Sequence, residues 1–162
     1  MIRFLATLFV AVVLTCCGYA TGFDLPSRGI RTVAVEVAGN QSFRQRVEIP
    51  LTAEINRALP LHAGLTPVSY DQADSVLSVE IQDIRGRSLI QGRRTDPVRE
   101  GALDFSVRVI LRDRASGTIL TDRRVFDRAE FRSPLAETEE TAIAEAARDL
   151  ARKIALALEA DF

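Results

Sequence analysis

Residues 103–113, LDFSVRVILRD, alternate apolar and polar side chains and lead into the turn residues Ala115-Ser116-Gly117. Successive side chains of a β-strand point to opposite faces, so this alternation predicts a strand with one buried face. The predicted inward side chains are Phe105, Val107, Val109 and Leu111. The predicted outward side chains are Ser106, Arg108, Ile110 and Arg112. Gly117 suits a tight turn, so we expect an antiparallel partner strand over residues 118–130.

Two further strands are predicted from the same period. Residues 75–85 place Leu77, Val79 and Ile81 on one face, and Ile84 breaks the alternation, which indicates a bulge near Gln82-Asp83. Residues 31–38 also alternate, with Val33, Val35 and Val37 on one face. Two polar stretches join these strands to their neighbours. Residues 39–42 are predicted as a turn, and residues 86–101 as a long hairpin connection whose ends can extend the strands.

Two amphipathic helices complete the pattern. Residues 49–60 carry Leu51, Ile55 and Leu59 at helical spacing, with Pro50 in the first turn and Pro60 expected to end the helix. The second helix is predicted from the Ser133-Pro134 start to Leu158. Its apolar face is formed by Ile143, Ala147, Leu150, Ile154 and Leu158.

The element order β-α-β-β-β-α predicts an α+β fold. We expect a two-layer sandwich, in which a four-stranded mixed sheet carries two helices on one face. The other face would display Ser78, Glu80, Gln82, Ser106, Arg108 and Arg112. Such a polar face is equally suited to water and to a polar partner.

The N-terminus is typical of a secreted lipoprotein. Residues 4–15 lack charges and follow Arg3, but twelve residues are fewer than the roughly 20 that span a bilayer. The run ends in Leu14-Thr15-Cys16-Cys17, which resembles the bacterial lipobox, so we predict cleavage before Cys17 and acylation of its thiol. Gly18 after it indicates the outer membrane by resemblance to known sorting rules. The alternative is an ordinary signal peptide with incidental cysteines.

These boundaries divide the chain into a signal peptide (1–16), an acylated Cys17 with a flexible tether (17–30) and one domain (31–162). If Cys17 is acylated, Cys16 is removed with the signal peptide. The mature chain then has no thiol for redox chemistry or metal binding.

No residue set indicates catalysis, a metal or a cofactor. His62 is the only histidine and follows a helix end, where a cation suits the helix dipole. The chain has no P-loop and no dinucleotide-binding glycine motif. A net charge of −1, no Trp and only two Tyr argue against nucleic-acid binding. We therefore predict a protein that is not an enzyme.

Arginine is the unusual component. The chain has a single lysine, Lys153, and residues 85–132 contain twelve arginines against seven acidic residues. A GC-rich genome would explain the preference for arginine, and a solvated, salt-bridged sheet would explain the cluster. The functional alternative is a surface that binds anionic groups such as lipid phosphates, since guanidinium groups engage them bidentately.

Several short stretches together resemble the LptE family of lipopolysaccharide (LPS) assembly lipoproteins. They are Cys17-Gly18-Tyr19, Leu25-Pro26, Arg31-Thr-Val-Ala-Val35, Asn40-x-Ser42-Phe43, Leu51-Thr52-x-Glu54-Ile55, Ala73-Asp74-Ser-Val-Leu-Ser78, Val109-x-Leu111-x-Asp113-x-x-Ser116-Gly117-x-x-Leu120 and Asp149-Leu150-Ala151-x-x-Ile154. The resemblance implies two helices on a four-stranded sheet, a lipid anchor in the outer membrane, an LptD β-barrel that the protein plugs, and LPS bound by basic residues.

The basic residues that we assign to LPS by this resemblance are Arg108, Arg112, Arg124 and Arg128. The alternative function is an outer-membrane lipoprotein that regulates a cell-wall synthase or a secretion assembly.

Overall fold

A computed structural model describes residue 25 and residues 29–88, 100–132 and 139–159 of the chain. The helices and strands, in chain order, are β1 (Thr32–Val35), β2 (Gly39–Asn40), α1 (Glu48–His62), β3 (Thr66–Pro67), β4 (Ser75–Ser88), β5 (Glu100–Asp113), β6 (Ile119–Arg132) and α2 (Glu139–Glu159). A short 3-10 helix spans Tyr70–Gln72. The α+β class with two helices and a mixed sheet is confirmed.

The sheet order is β3-β1-β4-β5-β6, with β2 also paired to β4. β1 runs parallel to β3 and β4, while β4, β5 and β6 form an antiparallel series. The described sheet has six strands instead of the predicted four, because β2 and β3 each add a two-residue pairing. The prediction of a turn that begins at Gly39 was wrong at its start, since Gly39 and Asn40 pair with Glu80 and Ile81.

The predicted bulge in β4 is confirmed. The register of β4 against β5 shifts between Ile81 and Asp83, which lets Ile84 return to the buried side of the sheet. Both strands of this hairpin extend past their predicted limits, β4 to Ser88 and β5 from Glu100. The middle of the predicted connection, residues 89–99, lies outside the described residues.

The two helices are confirmed, with one correction. Pro60 does not end α1, which continues to His62. A proline lacks the N–H that would bond one turn back, but the next turn still closes because Ala63 N–H donates to Leu59 O at 3.0 Å. The predicted Ser133-Pro134 start of the second helix lies outside the described residues.

The core lies between the helices and one face of the sheet. Its largest buried side chains include Phe105, Leu77, Ile81 and Leu111 from the strands and Leu51, Ile55, Leu59, Leu150 and Ile154 from the helices. Val33 is fully buried, but Val37 is 69% exposed, because β1 ends at Val35 and is shorter than the strand predicted over residues 31–38. Leu25 is also buried, and its carbonyl accepts a hydrogen bond from Ile30 N–H at 3.1 Å.

Asp74 joins the starts of β1 and β4. Its Oδ2 accepts from Arg31 N–H at 3.0 Å, Thr32 N–H at 2.9 Å and Thr32 Oγ1 at 2.7 Å. The hydrogen bond from the Arg31 N–H makes the largest contribution to lowering the pKa of Asp74, and the two hydrogen bonds from Thr32 lower it further. Three donors on one carboxylate oxygen therefore set where the two parallel strands begin.

Candidate functional site

On the sheet surface opposite the helices, six arginines with described side chains lie on three neighbouring strands. We call this surface the arginine face, and its arginines are Arg85, Arg87, Arg108, Arg112, Arg124 and Arg128. The alternation predicted for β5 is confirmed, since the inward side chains from Phe105 to Leu111 are at most 2% exposed. All four arginines proposed from the sequence lie on this one surface.

Asp104 is the centre of the first arginine cluster. Its Oδ1 lies 2.6 Å from Nε of Arg128, and its Oδ2 lies 3.0 Å from Nε of Arg87. The hydrogen bond from Arg128 and the charges of Arg128, Arg87 and Arg85 lower the pKa of Asp104. Three guanidinium groups around one carboxylate leave an excess of positive charge, although Arg85 also pairs with Asp83.

Arg108 is held by a second carboxylate. Its Nε and Nη2 donate to Oδ1 and Oδ2 of Asp122 at 3.0 and 2.6 Å, which is bidentate geometry. The hydrogen bond from Arg108 and the charges of Arg108, Arg112 and Arg124 lower the pKa of Asp122. Arg108 is thus already partnered.

Arg112 and Arg124 differ from the other two proposed residues. Both side chains are exposed, and neither forms an ion pair with another residue in the part of the chain that the structure describes. Arg124 lies directly opposite Arg108 across the β5–β6 pair. The structure therefore separates the four candidates into two paired arginines, Arg108 and Arg128, and two whose guanidinium groups face solvent.

Exposed apolar side chains lie on the same face and were missed in the sequence. Phe126 is 63% exposed and Ile119 is 48% exposed. Phe126, with Asp83, Arg85, Arg87 and Asp104, lines a cavity of about 390 Å³. The available signal was the alternation of the strand. Val125 and Ala129 are buried on the helix-facing side, so Phe126, which is out of phase with both, faces outward. The arginine face therefore offers both cationic and apolar contacts.

The described segments, residue 25 and residues 29–88, 100–132 and 139–159, contain neither a metal-binding cluster nor a membrane-spanning helix. No group of three or more His, Cys, Asp or Glu in those segments could hold a metal ion. No helix in them is long and apolar enough to cross a bilayer. His62 was predicted to follow the helix end, but it lies in the last turn of α1, because the helix continues past Pro60. Cys17 lies outside the described residues.

Comparison with known proteins identifies the family and the fold. A family model for lipopolysaccharide assembly, LptE, matches residues 30–158. No curated relative matches the chain.

Solved structures share the architecture at low sequence identity. PelC from Paraburkholderia phytofirmans, solved as a dodecamer, has 14% identity and a TM-score of 0.56, over 81% of this chain and 89% of its own. A hypothetical protein from Chlamydia trachomatis has 12% identity and a TM-score of 0.53, over 77% and 93% of the two chains. Lipoprotein B from Nitrosomonas europaea has 16% identity and a TM-score of 0.51, over 78% and 81%. At these identities the structures show the fold alone.

Proposed function

Because the chain belongs to the LptE family of lipopolysaccharide-assembly proteins, we propose that it is a non-enzymatic outer-membrane lipoprotein that binds LPS and plugs an LptD-like β-barrel. In this role the protein would hold LPS while the barrel delivers it to the outer leaflet. The protein needs no cofactor for such a function, because it moves a lipid without forming or breaking a covalent bond.

The observation that carries LPS binding is that two unpartnered arginines and an exposed aromatic ring lie on one face of the sheet. LPS presents phosphate groups next to acyl chains, so its surface requires both cationic and apolar contacts. Arg112 and Arg124 are exposed and supply guanidinium groups, which bind phosphate oxygens in pairs. Phe126, two residues from Arg124 on the same strand face, supplies apolar area.

Arg87 and Arg128 form the second part of the proposed LPS surface. Each shares Asp104, and the cluster keeps excess positive charge despite that carboxylate. Arg108, which donates bidentately to Asp122, acts mainly by holding the surface in place and adds charge to it. The arginine face would therefore bind phosphate at Arg112 and Arg124 first.

The anchor completes the proposal. An acylated Cys17 would hold the domain at the membrane, since several acyl chains together give stable attachment where one chain does not. Membership in this lipopolysaccharide-assembly family supports the partner, because the resemblance to LptE implies an LptD-like barrel.

Co-purification from the native membrane tests the function. The tagged full-length chain is extracted in mild non-ionic detergent, and its partners are separated by size and identified. We expect a stable complex with one large β-barrel protein, together with bound LPS. A chain that elutes alone, or with a cell-wall synthase or secretion assembly in place of a barrel, would contradict the proposal.

A further inference from the structure

An acidic groove separates the outer edge of the sheet from α2. It has a volume of about 380 Å³ and is lined by β6 on one side and α2 on the other. Its carboxylates are Asp127, Glu130, Glu145 and Asp149, and Arg128 is the one basic residue in its lining, so acidic groups are in excess. Glu130, Glu145 and Asp149 are exposed, and none of them forms an ion pair with another described residue.

Asp127 is the buried member of the groove. Its side chain is only 6% exposed, and its Oδ1 lies 2.5 Å from Nζ of Lys153. Its Oδ2 is buried and has no hydrogen-bond partner among the described residues. A buried carboxylate oxygen without a donor is costly, so this atom favours a ligand that brings an N–H group.

The groove also borders a free strand edge. β6 is the last strand in the sheet order, so among the described strands its outer side pairs with no other. One carbonyl on that side, Phe126 O, already accepts from Nζ of Lys153 at 3.3 Å. Unpaired backbone groups at a sheet edge are a template for an added strand.

The chemistry excludes a simple metal site and favours an organic cation. The described acidic side chains do not form a group that could hold a metal ion, despite their number. A cavity of this size suits a side chain better than a bare ion. Lys153 shows the favoured interaction, since its ammonium group bridges Asp127 and the strand edge.

We propose that this groove binds an extended basic segment of a partner protein. The backbone of the segment adds to the free edge of β6, and one of its arginine or lysine side chains enters the groove toward Asp127, Glu145 and Asp149. Arg128 lines this groove and also belongs to the arginine face, so the two proposed sites meet at this residue. The contacts proposed here use Asp127, Glu145 and Asp149 instead, and the variants that test them leave Arg128 unchanged.

Peptide binding to the full-length chain in non-ionic detergent tests the proposal. The probe is a fluorescein-labelled peptide with the repeat Arg-Val-Arg-Val-Arg-Val, and the comparison peptide has Glu for Arg. Fluorescence anisotropy should rise on adding the protein to the basic peptide and should not rise with the acidic peptide. Methylation of alternate backbone nitrogens of the basic peptide should weaken binding about fivefold, because those amides could no longer pair with the edge.

The groove itself is tested by charge-matched variants. Glu145→Gln with Asp149→Asn should weaken peptide binding about tenfold, whereas Asp71→Asn with Glu140→Gln removes the same charge elsewhere and should have less than about a twofold effect. Lys153→Met frees Asp127 and should tighten binding, and Arg152→Met, which also removes one positive charge, should tighten it less.

Three results would overturn the proposal. The first is equal affinity in the groove variant and its charge-matched control. The second is equal binding by the methylated peptide. The third is displacement of the peptide by spermidine or calcium at equal charge concentration, which would assign the groove to a small cation.

Discussion

The ring of Phe131 covers Gly101, its cross-strand partner in the β5–β6 pair. A Cβ atom on residue 101 would lie 2.5 Å from Cζ of Phe131 and 2.9 Å from Cε1. Carbon atoms in contact are normally about 3.5–4.0 Å apart. The aromatic ring therefore occupies the space that the absence of a side chain leaves on the helix-facing side of the sheet.

Gly101→Ala should destabilise the domain, because the added Cβ would clash with the ring of Phe131. Overpacking forces the ring or the strand to move, and we expect the free energy of unfolding to fall by about 1–3 kcal/mol in urea titrations. Gly39→Ala is the control, since the nearest atom to its Cβ is 3.8 Å away. Phe131→Leu should recover part of the loss in the double variant. Equal stability of Gly101→Ala and Gly39→Ala would contradict the prediction.

Asp74→Ala should loosen the junction between β1 and β4. Three hydrogen bonds to one carboxylate are lost, and we expect unfolding to become easier by about 1–2 kcal/mol at neutral pH. Asp71→Ala removes a neighbouring exposed carboxylate and serves as the control.

The effect of Asp74→Ala should depend on pH. The pKa of Asp74 is lowered in the folded chain, so its stabilisation is fully present above the unfolded pKa of about 3.9 and is lost as the pH falls through the lower folded value. The stability difference between wild type and variant should therefore shrink between about pH 4 and pH 2. A difference that stays constant over this range would rule out the charged form as its source.

Arg112→Gln with Arg124→Gln should weaken LPS binding about tenfold, because two exposed guanidinium groups no longer meet phosphate. Arg148→Gln with Arg152→Gln removes the same charge from α2 and should change affinity less than about twofold. Affinity is measured by LPS capture at two salt concentrations, and higher salt should narrow the difference. An equal loss of LPS affinity in both double variants would mean that net charge, and not the position of the arginines, controls binding.

Asp104→Asn should strengthen LPS binding. The substitution releases Arg87 and Arg128 from their shared carboxylate, so both guanidinium groups become available to phosphate. We expect the affinity for LPS to rise about threefold. The control Asp71→Asn makes the same change in charge and should raise the affinity less. If Asp104 instead positions these arginines for LPS, the variant will bind more weakly.

Cys17→Ser should abolish acylation. Cells fed labelled palmitate should incorporate it into the wild-type chain and into Cys16→Ala, but not into Cys17→Ser. The Cys17→Ser protein should also be released from the membrane fraction. Incorporation that is lost in Cys16→Ala and kept in Cys17→Ser would move the anchor by one residue.

The long elements were predictable because their burial follows a simple period. β5 is buried on every second side chain, and α1 buries Leu51, Ile55 and Leu59 at helical spacing. The bulge near Gln82 was also predictable, since Ile84 is out of phase. Such patterns depend on neighbours along the chain.

The two short strands were not predictable, because they depend on neighbours across space. Gly39–Asn40 and Thr66–Pro67 form strands only because β4 and β1 lie beside them. The continuation of α1 past Pro60 was not predictable for a related reason. It depends on Leu59 and Ala63, which are buried in the core and close the last turn by a hydrogen bond.

The candidate site was predictable as a surface but not as individual residues. Alternation places Arg108 and Arg112 on the outward face, yet the pairing of Arg108 with Asp122 depends on the register between β5 and β6. Register also places Asp104 between Arg87 and Arg128, which come from different strands. Local sequence contains no information on which guanidinium group remains exposed.

The burial of Leu25 limits how far the domain can stand from a bilayer. Leu25 is the eighth residue after Cys17, and a fully extended chain covers about 3.5 Å per residue, so the tether between them is at most about 28 Å long. With the acyl group on Cys17 in the membrane, Leu25 and the edge of the core around it would stay within this distance of the lipid surface. The domain could then meet only partners that themselves reach close to the bilayer.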